Sequence, residues 1–199
     1  MDRPRRFAEL IACAAAALLA LPARAQAAAD DFDLLPPAKV DPAALAREAL
    51  VQKELGRRRT MLQLHQGLGL GTIAALGTAV ALGQLNYIDK YGGGGYTERY
   101  IVPHKIAAYG ATAVFAASGL LALLAPSPFE KPLRLDTAAL HKASMIAATA
   151  GMAAQIVLGV LMLRKEGQLA QRDFALAHQI VGYATLAATT VGFVVLLFP

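Results

Sequence analysis

Four long apolar stretches dominate the chain, at about 60–85, 102–125, 137–163 and 174–198, and they hold almost no formal charge. A helix needs about 20 apolar residues to cross the hydrocarbon core of a bilayer, and each stretch meets that length. Polar connectors separate them: Asn86 to Tyr100, Pro126 to Asp136 and Arg164 to Asp173. Connectors this short predict that consecutive spans run antiparallel. The expected fold is an all-α membrane protein, an antiparallel up-down four-helix transmembrane bundle over residues 60–198. The first connector carries Gly92 to Gly95. Without a following Lys-Ser/Thr, or a strand before and a helix after, this glycine run is expected to be a flexible loop and not a phosphate loop.

The pattern changes ahead of the bundle. Met1 to Arg6 is basic, Phe7 to Leu21 is apolar, and Ala23-Arg24-Ala25 offers small residues for cleavage. Those are the three parts of a secretory signal peptide over 1–25, with an uncleaved signal anchor as the rival reading. Residues 26–41, rich in Ala, Asp and Pro, read as a flexible exported linker. Asp41-Pro42 then makes a helix start, and 42–59 has the apolar spacing of a short amphipathic helix leading into the membrane.

Composition supports this picture: 56% of residues are hydrophobic and there is no Trp, beyond the range of an ordinary soluble domain. The single cysteine, Cys13, lies inside the apolar part of the signal segment. Cleavage after Ala25 would leave no cysteine, which excludes disulfides, iron–sulfur ligation, covalent c-type haem attachment and thiol catalysis. The signal segment places the mature N-terminus outside, in the expected setting of a bacterial inner membrane. The cations near the membrane lean mildly the other way. Arg47, Lys53, Arg57, Arg58, Arg59, Lys131, Arg134 and Lys142 fall on the exported side; Lys90, Arg99, Lys105, Arg164, Lys165 and Arg172 fall on the inner side.

All four histidines lie in the spans, one in each: His65, His104, His141 and His178. Each sits about one turn past the start of its span. An imidazole at membrane depth is costly without a partner, so such residues are candidates for function. Because alternate spans reverse direction, His65 and His141 fall near one face, and His104 and His178 near the other. About 15 residues, or roughly 22 Å of helix, separate the two layers. Two imidazoles facing one another in a bundle suit bis-histidine ligation of a haem, with no open axial position, for electron transfer. Copper or zinc would need more ligands than two histidines with no Cys, Asp or Glu beside them.

Neighbouring residues fit that reading. His65-Gln66-Gly67-Leu68-Gly69 and His178-Gln179-Ile180-Val181-Gly182 share His-Gln-x-x-Gly. Gly69 and Gly182 thus lie one turn from a histidine on the same face, where a flat macrocycle needs side-chain bulk removed; close helix packing is the other use of such glycines. Lys105 and Lys142 each follow a histidine and set a cation where haem propionates would emerge, or where a lysine would snorkel to headgroups.

With His141, Gln155-Ile156-Val157-Leu158-Gly159 and His178-Gln179-Ile180-Val181-Gly182-Tyr183 in hand, residues 60–198 resemble the four-helix core of the cytochrome b561 type. The resemblance implies two haems b, held by His65/His141 and His104/His178. It further implies electron transfer across the membrane, from a quinol, an ascorbate-like reductant or a redox protein to an acceptor opposite. Donor and acceptor are left open, since this chain has only the four core helices. The expected partners are the lipid bilayer and those redox partners, not nucleic acid. The alternative is a non-redox membrane scaffold or assembly subunit without cofactor, in which the histidines hydrogen-bond between helices. No nucleophile, general acid or paired carboxylate lies within the spans, which argues against bond-making chemistry by the polypeptide.

Overall fold

The computed structural model describes residues 41–129 and 134–197. The expected signal segment 1–25, and all of the expected linker 26–41 except Asp41, lie outside the described residues. The described chain contains helices α1 Pro42–Tyr91, α2 Ile101–Leu124, α3 Thr137–Arg164 and α4 Ala170–Val194. All four are long and apolar enough to cross a membrane. The chain divides into two units, Met1–Arg47 and Glu48–Pro199, and the helix-to-helix relations below all belong to the second.

Asp41 starts α1 as the sequence predicts, its carboxylate accepting the Ala43 N–H at 2.9 Å. The helix then runs for 50 residues without a break, about 75 Å at 1.5 Å per residue. The expected amphipathic stretch 42–59 and the first span from 60 thus lie within one continuous helix. Arg57, Arg58 and Arg59 are good helix formers, and the lone Gly56 costs a helix only about 1 kcal/mol. The helix also continues to Tyr91, taking in Asn86 to Tyr91 from the expected connector. Similarly, α4 starts at Ala170, four residues ahead of the expected 174. Helix α3 is capped by Asp136, whose side chain accepts from Ala139 N–H at 2.8 Å. The glycine-rich connector is tied down: the Asp89 carboxylate accepts from Thr97 N–H, Thr97 O–H and Glu98 N–H. Gly93 and Gly95 take the left-handed backbone that the tight turns need, with φ of 84° and 89°.

The packing is inverted relative to a soluble bundle. Leu123, Tyr109, Ile146 and Ile106 point outward, Leu123 with 82% of its surface exposed. The described core is small by comparison: Leu76, Ala79, Ala111, Ala148, Met152 and Ala175, with buried Thr72, Ser118, Gln171, Thr185 and Thr189. Large apolar side chains outside and small or polar ones inside suit helices whose surroundings are lipid, where close backbone approach replaces hydrophobic collapse.

A repeat organises that core. Seven residues after the histidine of each helix, two turns or about 10.5 Å along the same face, stands a residue with almost no exposure: Thr72, Ala111, Ala148 and Thr185. Each helix thus contributes one small residue to a ring at mid-bundle. Leu76 and Met152, eleven residues after His65 and His141, are also buried and belong to one apolar cluster with Ala79 and Ala111. The buried Leu76 and Met152 therefore make α1 resemble α3, whereas the strings shared in the sequence pair the first span with the fourth.

Thr185 leans on Gly151 of α3 so closely that a Cβ there would collide with its hydroxyl and come within 3.2 Å of its Cβ. We expect Gly151→Ala to lower the stability of the detergent-solubilised protein by about 1–3 kcal/mol through overpacking. Gly77→Ala, where a Cβ meets nothing within 4 Å, should leave stability unchanged or raise it by up to about 1 kcal/mol. Thermal unfolding followed by circular dichroism measures both; equal effects would contradict the packing described.

Candidate functional site: two facing histidine pairs

The connectors set α1 against α2 and α3 against α4 as antiparallel neighbours, and the histidines register each pair. His65 Nδ1 lies 2.9 Å from the Ser118 carbonyl of α2, and His104 Nδ1 lies 3.0 Å from the Ala79 carbonyl of α1. In the other hairpin His141 Nδ1 lies 2.7 Å from the Gly192 carbonyl of α4. His178 is held differently: Gln155 Nε2 donates to its backbone carbonyl at 2.5 Å, while its ring Nδ1 has no hydrogen-bond partner. Ala79, Ser118, Gln155 and Gly192 each stand fourteen residues after the histidine of their own helix. Fourteen residues is about 21 Å, so the two histidine layers are separated by that distance along every helix.

A carbonyl can only accept, so in three of the four rings Nδ1 carries the proton and donates. That leaves Nε2 as an unprotonated lone pair, the tautomer a metal ligand needs, oriented by the outer hydrogen bond. Ser118 Oγ strengthens the arrangement at His65, lying 3.0 Å from its Nδ1 and donating to its carbonyl at 3.2 Å.

Across the bundle the rings meet as the sequence predicts. His65 faces His141 with ring centroids 6.1 Å apart, and His104 faces His178 at 6.2 Å. The ring planes cross at 84° and 86°. A metal atom shared by two imidazoles, each nitrogen at roughly 2.0–2.1 Å, spaces the ring centroids by roughly 6–6.5 Å once the ring radii are added. Among the described residues no group of three or more His, Cys, Asp or Glu gathers to hold a metal ion. Two imidazoles alone suit only a metal that brings its remaining ligands with it, as a porphyrin iron does.

Glycines make space for the rings at one layer. A Cβ on Gly83 would lie 2.9 Å from His104 Cε1, and one on Gly159 would lie 3.6 Å from His178 Cε1. Gly83 and Gly159 are each eighteen residues after the histidine of their own helix, so they repeat like the carbonyls. A cavity of about 340 Å³ opens there, lined by His104, His178, Gly83, Gly159, Leu76 and Met152 among others. Its size falls within the range of cofactor sites, about 300–1,000 Å³.

The remaining predicted residues are dispersed. Gly182 lines that cavity, and a Cβ on it would lie 3.4 Å from the Gln155 amide nitrogen. Gly69 has open space in front of it. Lys105 is exposed at the cavity margin, and Lys142 is exposed beside His141. Gly83, Gly159, Ser118 and Gln155 escaped the sequence reading as site residues. Their one linear signal is a constant offset from the histidines, whose meaning depends on knowing which helices are neighbours.

Gly83→Ala should push the His104 ring out of place while sparing His65 and His141. Histidine Cε1–H resonances of the solubilised protein test this: we expect shifts for His104 and His178 only, and uniform shifts of all four would count against local crowding.

No protein-family model, no curated protein and no solved structure matches this chain, so its reading rests on its own geometry.

Proposed function

We propose that this chain is a dihaem b-type cytochrome of the cytochrome b561 type, carrying electrons across the membrane alone or as the membrane subunit of an oxidoreductase. The observation that carries the reading is the pair of facing histidine sets, with centroids 6.1 and 6.2 Å apart and proton-bearing Nδ1 atoms turned to backbone carbonyls in three of the four rings.

In this reading His65 with His141, and His104 with His178, would each hold one haem b. A bis-imidazole haem iron supplies one-electron transfer without an open coordination position. The polypeptide does the rest. The carbonyls of Ser118, Ala79 and Gly192 fix the imidazole tautomers and resist ring rotation. Gly83 and Gly159 keep bulk away from His104 and His178. Gly69 and Gly182 are assigned to the walls beside the macrocycles, and Lys105 and Lys142 to the cationic margin. The buried ring of Thr72, Ala111, Ala148 and Thr185 lets the helices pack closely between the layers. With the exported N-terminus that the signal segment implies, His65 and His141 serve the outer face of a bacterial inner membrane. His104 and His178 serve the inner face. The donor is a quinol, an ascorbate-like reductant or a redox protein, and the acceptor lies opposite.

The reduced-minus-oxidised visible spectrum and haem content of the purified protein test this. We expect two low-spin b haems per chain, falling to one in His65→Ala and, separately, to one in His104→Ala. Wild type without haem would remove the reading and favour a scaffold held together by hydrogen-bonded histidines.

A further inference from the structure

Among the described residues, three buried side-chain polar atoms have no hydrogen-bond partner: Asn86 Oδ1, Tyr91 hydroxyl and His178 Nδ1. All three residues line the cavity at the His104/His178 layer. Buried polar groups without partners are rare because each costs about 1–3 kcal/mol, so three around one cavity indicate that something polar belongs in it.

The charged and donor groups there define what it is. Lys90, one turn after Asn86 and adjacent to Tyr91, lines the same cavity, and its side chain is only 20% exposed. Its ammonium lies 4.9 Å from the Tyr96 ring centroid and 5.9 Å from that of Tyr91, so the aromatic faces hold it in place. One carboxylate is already near: Glu166 stands 3.8 Å from Lys90 but is 67% exposed, a solvent-screened pair that leaves the other ammonium protons free. Arg172 lies within electrostatic reach of Tyr91. The residues lining the cavity thus carry two cations, Lys90 and Lys105, against one carboxylate, Glu166. The Tyr91 phenol is a neutral hydroxyl that can donate. Which end of the Asn86 amide faces the cavity is set by whatever it meets, so a bound acceptor would turn its NH₂ inward. A cation and two neutral donors within two turns of α1, lining one cavity, match a carboxylate.

We propose that Asn86, Lys90 and Tyr91 form a carboxylate-binding site at the outer end of this cavity, and that the carboxylate is a peripheral acid group of the tetrapyrrole seated between His104 and His178. The proposal rests on the dihaem reading and adds to it. Lys90 is about 10.5 Å beyond Gly83 along α1, and Asn86 about 4.5 Å beyond it, so the donors lie outward of the histidine layer, towards water. At the other end of α1, Arg58 and Arg59 line a separate cavity and Arg58 is held by the Pro126 carbonyl at 2.8 Å, with no counterpart of the unpaired Asn86 and Tyr91 among the described residues. The two haems would thus differ in how tightly they are retained.

Haem transfer from the purified full chain to excess apomyoglobin in detergent tests the site, with the His65/His141 haem as an internal reference. In Lys90→Met and Tyr91→Phe we expect one haem per chain to leave about tenfold faster, the scale of one lost charge-assisted hydrogen bond, and the other to leave at the wild-type rate. Lys90→Arg should restore retention. Haemin dimethyl ester, whose acid groups are blocked, should leave wild type as fast as haemin leaves Lys90→Met. Equal rates for haemin and its ester in wild type, or both haems loosened alike in the variants, would overturn the proposal while leaving the dihaem reading intact. If haemin and ester behave alike but succinate binds wild type and not Lys90→Met, the site takes a free acid and the tetrapyrrole source is wrong. Wild type that carries no haem defeats the dihaem reading itself, and this proposal with it.

Discussion

The hydrogen bond from a histidine ring to the backbone of the antiparallel neighbour is the constraint on which the rest of this bundle depends. An imidazole among apolar helices has few partners to choose from, and leaving it unpaired is costly. Here three rings take carbonyls of the adjoining helix, at 2.7–3.0 Å. Helix carbonyls are normally committed to their own ladder. At the end of α4 the Leu196 N–H has moved to the Phe193 carbonyl, and the Gly192 carbonyl takes His141 instead. Each such bond sets the sliding register of two helices, because displacement by even one turn would part ring from acceptor.

From that register the remaining geometry follows. The acceptor stands fourteen residues from the histidine of its own helix, so both hairpins adopt the same overlap and their histidines come to two common depths. Halfway between, seven residues from each histidine, only small residues fit where four backbones converge. Thr72 and Thr185 satisfy their hydroxyls within their own helices, at the Leu68 and Val181 carbonyls, so they add no unmet polar group to the middle of the bundle. Gln84, Gln179 and Tyr183 join α1 to α4 by side-chain hydrogen bonds near the His104/His178 layer.

The two layers are not equivalent. At His65, Ser118 adds a hydroxyl to the carbonyl contact; at His178 the ring nitrogen is left without a hydrogen bond and a cavity opens beside it. Glycine in α1 and α3 makes room at the second layer, and the polar groups of the α1 end, loop and α4 start gather outside it. A pair of electron-carrying sites with unequal surroundings would have unequal potentials, since burial and outer hydrogen bonds tune them.

The sequence by itself determined the spans, their alternation and the pairing of the histidines. Apolar length, short connectors and one histidine near the start of each span left His65 to meet His141, and His104 to meet His178. It also marked Asp41 as the start of α1, because capping is a local interaction. It could not show that α1 passes unbroken through the expected boundary at 59 and 60, since the arginines there are compatible with either a junction or a continuous helix. The carbonyl acceptors, the glycines at 83 and 159, and the unpaired Asn86 and Tyr91 were decided only by the tertiary structure. Backbone carbonyls have no residue identity to read, and whether a glycine faces a ring, a lipid or open space depends on which helix lies beside it. Local pattern specifies the elements; the register between neighbours turns four isolated histidines into two facing pairs.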